Sequence, residues 1–368
     1  MQITRVTPFL VSLPYNHGAP KPTRHGMGNW ATQPILLVRV DTDEGVTGWG
    51  EAFGHASSPV TMVAVAKVVA ELAVGRDPGD IPTLMGDLTR RTQSMARNGP
   101  VQFALSGLDI ALWDIAGKRA GKPVWQLLGS TARKTTIPAY ASLFRIGTPQ
   151  IVGRVAAKAV ERGYRAVKLH EHSVEAVAAA RAAIGPDVDL MVDTNCFWDS
   201  PDEIVAVCRK LEPYKLTWLE EPFYPVDSYD VVARIRKEVR VPFAAGENLG
   251  NYNDVRWITD AESVDVVQPS VAKMGGITQV WKAIDYIGRS KSSRAVPHSP
   301  FLGPALMATV HMIAAMPQEV PCEHRFCDLE ASPLGDAVVS QNGQLRVPDA
   351  PGLGFTVDET VLEKYRAG

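Results

Sequence analysis

Only four cysteines occur in 368 residues. Cys196, Cys208, Cys322 and Cys327 include no CxxC pair, which excludes a disulfide framework and a thiolate-held metal. They read as ordinary buried or half-buried thiols. No run of like charge is present, and 38 basic residues nearly balance 40 acidic ones, so nothing tracks nucleic acid or anionic lipid. The longest apolar stretches, such as Val60 to Val74, are broken by polar residues or fall short of the roughly 20 residues a membrane span needs. The opening MQITRVTPFLVSLPYN alternates like a strand and lacks the basic-then-apolar order of a signal peptide. These absences leave small-molecule chemistry in the cytoplasm as the expectation, with no nucleic-acid and no membrane partner.

What is present divides into two rhythms. Residues 1–125 read as an α+β unit: a strand at Ile3 to Leu13, a long irregular segment, then PILLVRV and VTGWGEA around the turn DTDEG as a hairpin. Helical patterns follow at Val60 to Leu72, Ile81 to Thr89 and Val101 to Arg119, the last ending before Gly121 and Pro123. From Thr136 a repeat of short apolar strand, loop and helix takes over. Its strands are TIPAYAS, RAVKLH, DLMVD, LTWLE, VPFAAGE, VDVVQP, RAVP and QEVPCE. Strands alternating with helices of this length predict a parallel sheet, and eight of them close a barrel over residues 126–327. Residues 328–368 read as turns and short strands that cannot extend a barrel and pack back on the first unit.

Polar residues interrupt the apolar strands at regular places. Lys168 and His170 end the second strand, Asp193 the third and Glu220 the fourth; Glu247 follows the fifth, Ser270 the sixth, His298 the seventh and Glu323 the eighth. The steps between them, 23 to 28 residues, are each about one strand-helix unit, so all reach one rim of the barrel, where barrel active sites lie. Three carboxylates converging there would lose their charge unless a cation neutralised them. An all-oxygen set selects a hard ion, Mg²⁺ first and Mn²⁺ as a substitute, over zinc. Lys168 and His170, two apart on a strand, face the same way. Lysine is seldom buried unpaired, so Lys168 in its apolar setting reads as a base whose pKa the metal and desolvation lower. His170 is open between acid-base work and support. His298, from the opposite side of the ring, is a second proton-transfer group or a packing histidine.

The ordered set GWGEA (48–52), ALSGLDIALWDIAGK (104–118), Lys168-Leu169-His170, VDTN (192–195), WLEEP (218–222), GEN (246–248), QPSVAKMGGIT (268–278), VPHSP and PDAPGLG (348–354) resembles the enolase superfamily, in particular its mandelate racemase-like members. The resemblance spans nearly the whole chain. It implies a modified TIM barrel, (β/α)₇β, beneath an α+β capping domain built from both chain ends. It implies Asp193, Glu220 and Glu247 as Mg²⁺ ligands with Glu221 behind them, and abstraction of the proton α to a carboxylate to give an enediolate. A Lys or His base with Mg²⁺ on the ene-diolate is the general pattern of that superfamily. The resemblance also implies Glu323 near the substrate carboxylate, as a protonated acid donating to the enediolate, and a dimer or octamer. Two departures stand out: Lys168-x-His170 replaces Lys-x-Lys, and Ser270 stands where racemases carry an Asp behind the histidine.

Those departures favour dehydration of an acid sugar, an aldonate or a related polyhydroxy acid, to a 2-keto-3-deoxy acid. Lys168 would take the α-proton and His298 would protonate the departing hydroxyl. Racemisation, epimerisation or cycloisomerisation is the alternative, and a non-catalytic metal-binding protein a remote one. Substrate contacts are expected from Asn195, from His55, and from the irregular segment Tyr15 to Thr32 with His17, Lys21, Arg24, His25 and Trp30. Lys273 reads as structural or peripheral.

Overall fold

The computed structural model describes residues 1–20, 23–25, 28–131 and 134–367, with backbone alone for 23–25 and 28–30. An antiparallel four-stranded sheet comes first, in the order Asp328–Leu329, Ile3–Asn16, Thr32–Thr42, Thr47–Ala52. The hairpin read around DTDEG is its core, with Leu36 opposite Ala52 and Asp41 opposite Thr47. Helix Pro100–Ala120 crosses it and is buried along most of its length. GWGEA is small at two places for a steric reason. A Cβ at Gly48 would fall on the carbonyl oxygen of Ala111, and one at Gly50 on that of Gly107, so larger residues would push helix and sheet apart.

Buried Asp114 explains why distant motifs belong together. Its Oδ2 accepts from the Trp49 amide at 3.0 Å and from Lys118 Nζ at 2.7 Å, and its Oδ1 from the Leu353 amide at 2.8 Å. One side chain thus ties the hairpin, the long helix and the PDAPGLG turn. The helical stretch 55–73 is longer than the apolar pattern suggested. Among the described residues it alone is long and apolar enough to cross a membrane by length and composition. It instead lays Thr61, Ala64, Val65, Val69 and Ala73 against the sheet and the long helix.

The barrel strands are Thr136–Ser142, Ala166–Leu169, Asp189–Asp193, Trp218–Glu220, Phe243–Ala245, Val266–Val267, Arg294–Ala295 and Cys322–Arg325. They pair in parallel from the first to the seventh, and the eighth returns to pair with the first. Val, Ile, Leu and Ala from strands and surrounding helices form one core. Two details differ from the sequence reading. The eighth strand runs two residues beyond Glu323. The tail also reaches the barrel, since Gln344–Arg346 pairs antiparallel with the start of the first strand. That edge remains open because the eighth strand engages the first only from Ala139 onward. Elsewhere the tail meets the first unit: Leu329 pairs with Tyr15, and the Ser12 amide donates to the Tyr365 carbonyl.

Candidate active site

Register brings the carboxylates together. Asp193 and Glu220 are partners on adjacent strands, and Glu247 lies just past the next one. One carboxylate oxygen from each lies within 4.8 Å of the others. Each is also held from behind. Glu220 Oε2 accepts from Trp218 Nε1 at 3.0 Å and Gln268 Nε2 at 2.9 Å, while Oε1 accepts from Lys168 Nζ at 2.9 Å. Asp193 Oδ1 accepts from the Asn195 amide at 2.8 Å and its Nδ2 at 2.9 Å. Glu247 meets Lys273 Nζ at 2.8 Å and His298 Nε2 at 3.0 Å.

Asp193 Oδ2 is the exception, buried with no hydrogen-bond partner. Burial, opposed by Lys168 but joined by the charges of Asp193 and Glu323, pushes Glu220 up to about 8. Burial also drives Asp193 and Glu247 upward, yet both end below the usual carboxylate range: His170 and Lys168 outweigh it at Asp193, and Lys273 and His298 at Glu247. Glu221, in the left-handed backbone region at φ +43, is raised by burial and by the charges of Glu247 and Asp193. Its Oε1 accepts from Asn248 Nδ2 at 2.9 Å. An orphaned carboxylate oxygen, a carboxyl forced toward its neutral form and an all-oxygen donor set fit a hard divalent cation.

Lys168 is fully buried, with Nζ 2.8 Å from Glu323, 2.9 Å from Glu220 and 3.7 Å from Asp193. The lowered lysine pKa expected from the sequence is one that a metal ion would impose; without the ion the carboxylates set the balance. Burial pulls it down, but Glu220 and Glu323 outweigh burial and hold the ammonium charged. The same contact revises Glu323. Burial would protonate it, yet Lys168 and His298 keep it ionised, and its oxygens accept from Ser142 Oγ at 2.7 Å and the Ser299 amide at 3.1 Å. In this structure it is an acceptor.

His170 contacts the Leu143 carbonyl through Nδ1. A carbonyl can only accept, so Nδ1 carries a proton, and Nε2 lies 3.3 Å from Asp193 Oδ2. Ser270 does not leave His298 without a partner: its Oγ lies 3.1 Å from Nδ1. A neutral hydroxyl replaces the charged one.

Lys273, read as peripheral, sits on Glu247 and 4.3 Å above the Phe53 ring. The apolar run VAKMGG around a lysine was the signal in the sequence, and the structure leaves Lys273 4% exposed. His55 stacks on Phe53 at 4.6 Å and so stands one ring behind Lys273. Asn195 is engaged on both sides, since its Oδ1 accepts from Arg145 Nη2 at 3.2 Å. Arg145, which the sequence reading did not select, also donates to the His170 carbonyl at 3.2 Å. His17 is buried with its ring 5.0 Å from Phe144. Lys21 and the side chains of Arg24, His25 and Trp30 lie outside the described residues.

An oxygen-rich ligand set and a buried lysine at the carboxyl ends of barrel strands define an enzyme of the α/β-barrel class. Residues 11–129 match the mandelate racemase / muconate lactonizing enzyme N-terminal domain, and residues 152–361 match the enolase C-terminal domain-like family. The chain belongs to the enolase superfamily, within its mandelate racemase / muconate lactonizing enzyme branch. It is 30% identical over 342 residues to an arabinonate dehydratase of Saccharolobus solfataricus, covering 90% of each chain. It is 30% identical over 385 residues to a D-galactarolactone cycloisomerase of Agrobacterium fabrum, covering 100% of this chain and 99% of the relative. A crystal structure of a racemase from Streptomyces coelicolor with bound magnesium superposes with a TM-score of 0.83 at 26% identity, over 99% of this chain and 100% of that one.

Proposed function

We propose that the protein is a Mg²⁺-dependent dehydratase of an acid sugar, an aldonate-type polyhydroxy acid or a related one, and yields a 2-keto-3-deoxy acid. The observation that carries this is the placement of two unlike proton-transfer groups, Lys168 and His298, around Asp193, Glu220 and Glu247. Those three carboxylates would hold the ion. When bound, Mg²⁺ supplies positive charge to the substrate carboxylate, where charge builds as the α-proton leaves.

The chain's own groups do the rest. Lys168 Nζ, fixed between Glu220 and Glu323, would take the α-proton as the free amine, a form favoured once a cation at Asp193, Glu220 and Glu247 offsets the carboxylate charge that holds it protonated. The contact with Glu323 positions the amine and fixes the face of the substrate it meets. His298 Nε2 returns a proton to the departing β-hydroxyl. Ser270 Oγ can donate or accept, so it supports Nδ1 without imposing a permanent charge. His170, with Nδ1 committed to a backbone carbonyl, supports Asp193 rather than exchanging protons with substrate. This Lys-x-His arrangement distinguishes the second strand from the usual Lys-x-Lys. We infer that the reaction takes place in the cytoplasm.

Incubating the protein with a library of acid sugars and Mg²⁺ and assaying 2-keto acids tests the reading. Exchange of the α-hydrogen in D₂O without 2-keto product would shift it to cycloisomerisation or epimerisation, the second reading, which the full-length similarity to a cycloisomerase favours.

A further inference from the structure

Arg325 is the last residue of the eighth barrel strand and is 2% exposed. It stands two residues after Glu323, so both side chains point the same way, into the barrel mouth. Its register partner is Ser142, and Ser142 is also the register partner of Lys168 on the other side. Arg325 and Lys168 therefore occupy one row, two strand spacings or roughly 10 Å apart along the sheet.

A guanidinium has five donors and does not lose its charge, so burial without an anion is unfavourable. This one has little to offset that. Nε donates to the Pro300 carbonyl at a long 3.4 Å, and Cζ lies 4.9 Å from the Phe144 ring. Nη1 is buried with no hydrogen-bond partner. Among the described residues no carboxylate pairs with it, whereas Lys168 and Lys273 each have one at 2.8 Å. Phe144 in turn stacks on Tyr15 at 4.9 Å, so the capping unit closes over this corner.

We propose that Arg325 receives a second carboxylate of the substrate, so that the acid sugar used here is a dicarboxylic acid. This rests on the acid-sugar reading above and narrows its substrate class. The first carboxylate belongs at Asp193, Glu220 and Glu247, the α-carbon at Lys168, and the far end of a six-carbon chain at Arg325. The planar fork of arginine matches a carboxylate with two parallel hydrogen bonds. A terminal CH₂OH in that place leaves the cation unpaired.

Matched hexarate and hexonate pairs, identical except for the terminal carbon, test this by steady-state kinetics with Mg²⁺. The expected result is a wild-type kcat/KM for a hexarate at least about 100-fold above that for its hexonate. Arg325→Met should lower the hexarate value by about the same factor and leave the hexonate within about threefold, and Arg325→Lys should recover part of the loss. The wild-type comparison stands even if a variant fails to fold. Equal losses on both substrates would make Arg325 a packing residue and overturn the proposal. Turnover of hexonates in preference to hexarates would overturn it while leaving the dehydration intact. Turnover of neither class overturns both.

Discussion

Asp114 and Asp193 are both buried aspartates, and they do opposite things with their oxygens. Asp114 sits where the capping unit, the long helix and the tail meet, and its two oxygens receive three donors from the chain itself. Asp193 has Oδ1 satisfied by Asn195 and Oδ2 without a hydrogen bond, with Glu220 and Glu247 beside it. A carboxylate closed by its own chain is a joint. One with no hydrogen bond to its outer oxygen, beside two further carboxylates and with only the longer contacts to His170 and Lys168, has room for a cation the chain does not supply.

The largest effect that could break this contrast is Asp193→Asn. It should lower kcat/KM by about 10⁴-fold through loss of metal-assisted charge stabilisation, without lowering the metal-free melting temperature. A clear drop in that temperature would make Asp193 another joint. Next comes Lys168→Met, for which turnover and α-hydrogen exchange in D₂O should both fall by about 10³-fold while calorimetry still detects Mg²⁺ binding. Full turnover in this variant would end the proposed mechanism. Asp114→Ala has the reverse signature. Chemical denaturation should show a loss of about 3 kcal/mol, from stranded donors and an unpaired Lys118, with kcat of the folded fraction unchanged.

A smaller effect is the pH response of the metal-free protein. With Glu220 raised from an ordinary 4.5 to about 8, the folded state keeps a proton that the unfolded chain releases across that window. Stability from this group therefore falls as pH rises from 4.5 to 8. The melting temperature should decline over that range, less steeply in Glu220→Gln, and a slope unchanged by the substitution would contradict the assignment. The smallest expected change is in Ser270→Ala, which should alter the pH profile of kcat with a loss of no more than about tenfold.

The two kinds of site were unequally legible. Strand rhythm placed Asp193, Glu220 and Glu247 on one rim because spacing along a barrel reports position around it. It could not report which oxygen would lack a partner, since Asn195 and Lys273 act through side-chain reach that no spacing encodes. Arg325 was missed for a simpler reason. The eighth strand was ended at Glu323, and only two further residues of extended backbone carry Arg325 to the same face. Nor does spacing show that Lys168 meets Glu323, a carboxylate 155 residues away in sequence and 2.8 Å away in space, whose charge favours the ammonium. Asp114 drew no notice, although both motifs it joins were in view.

The strand Ile3–Asn16 has a consequence for how the molecule is made. It finds the hairpin early, but its remaining partners are Asp328–Leu329 and Arg366. The first barrel strand likewise waits for Cys322–Arg325 and Gln344–Arg346. During vectorial synthesis both edges stay unpaired until nearly every later residue has left the ribosome, which makes folding slow and exposes sticky β-edges in the interim. A stalled or prematurely released chain would therefore be the aggregating species, well before any defect at the catalytic rim could be felt.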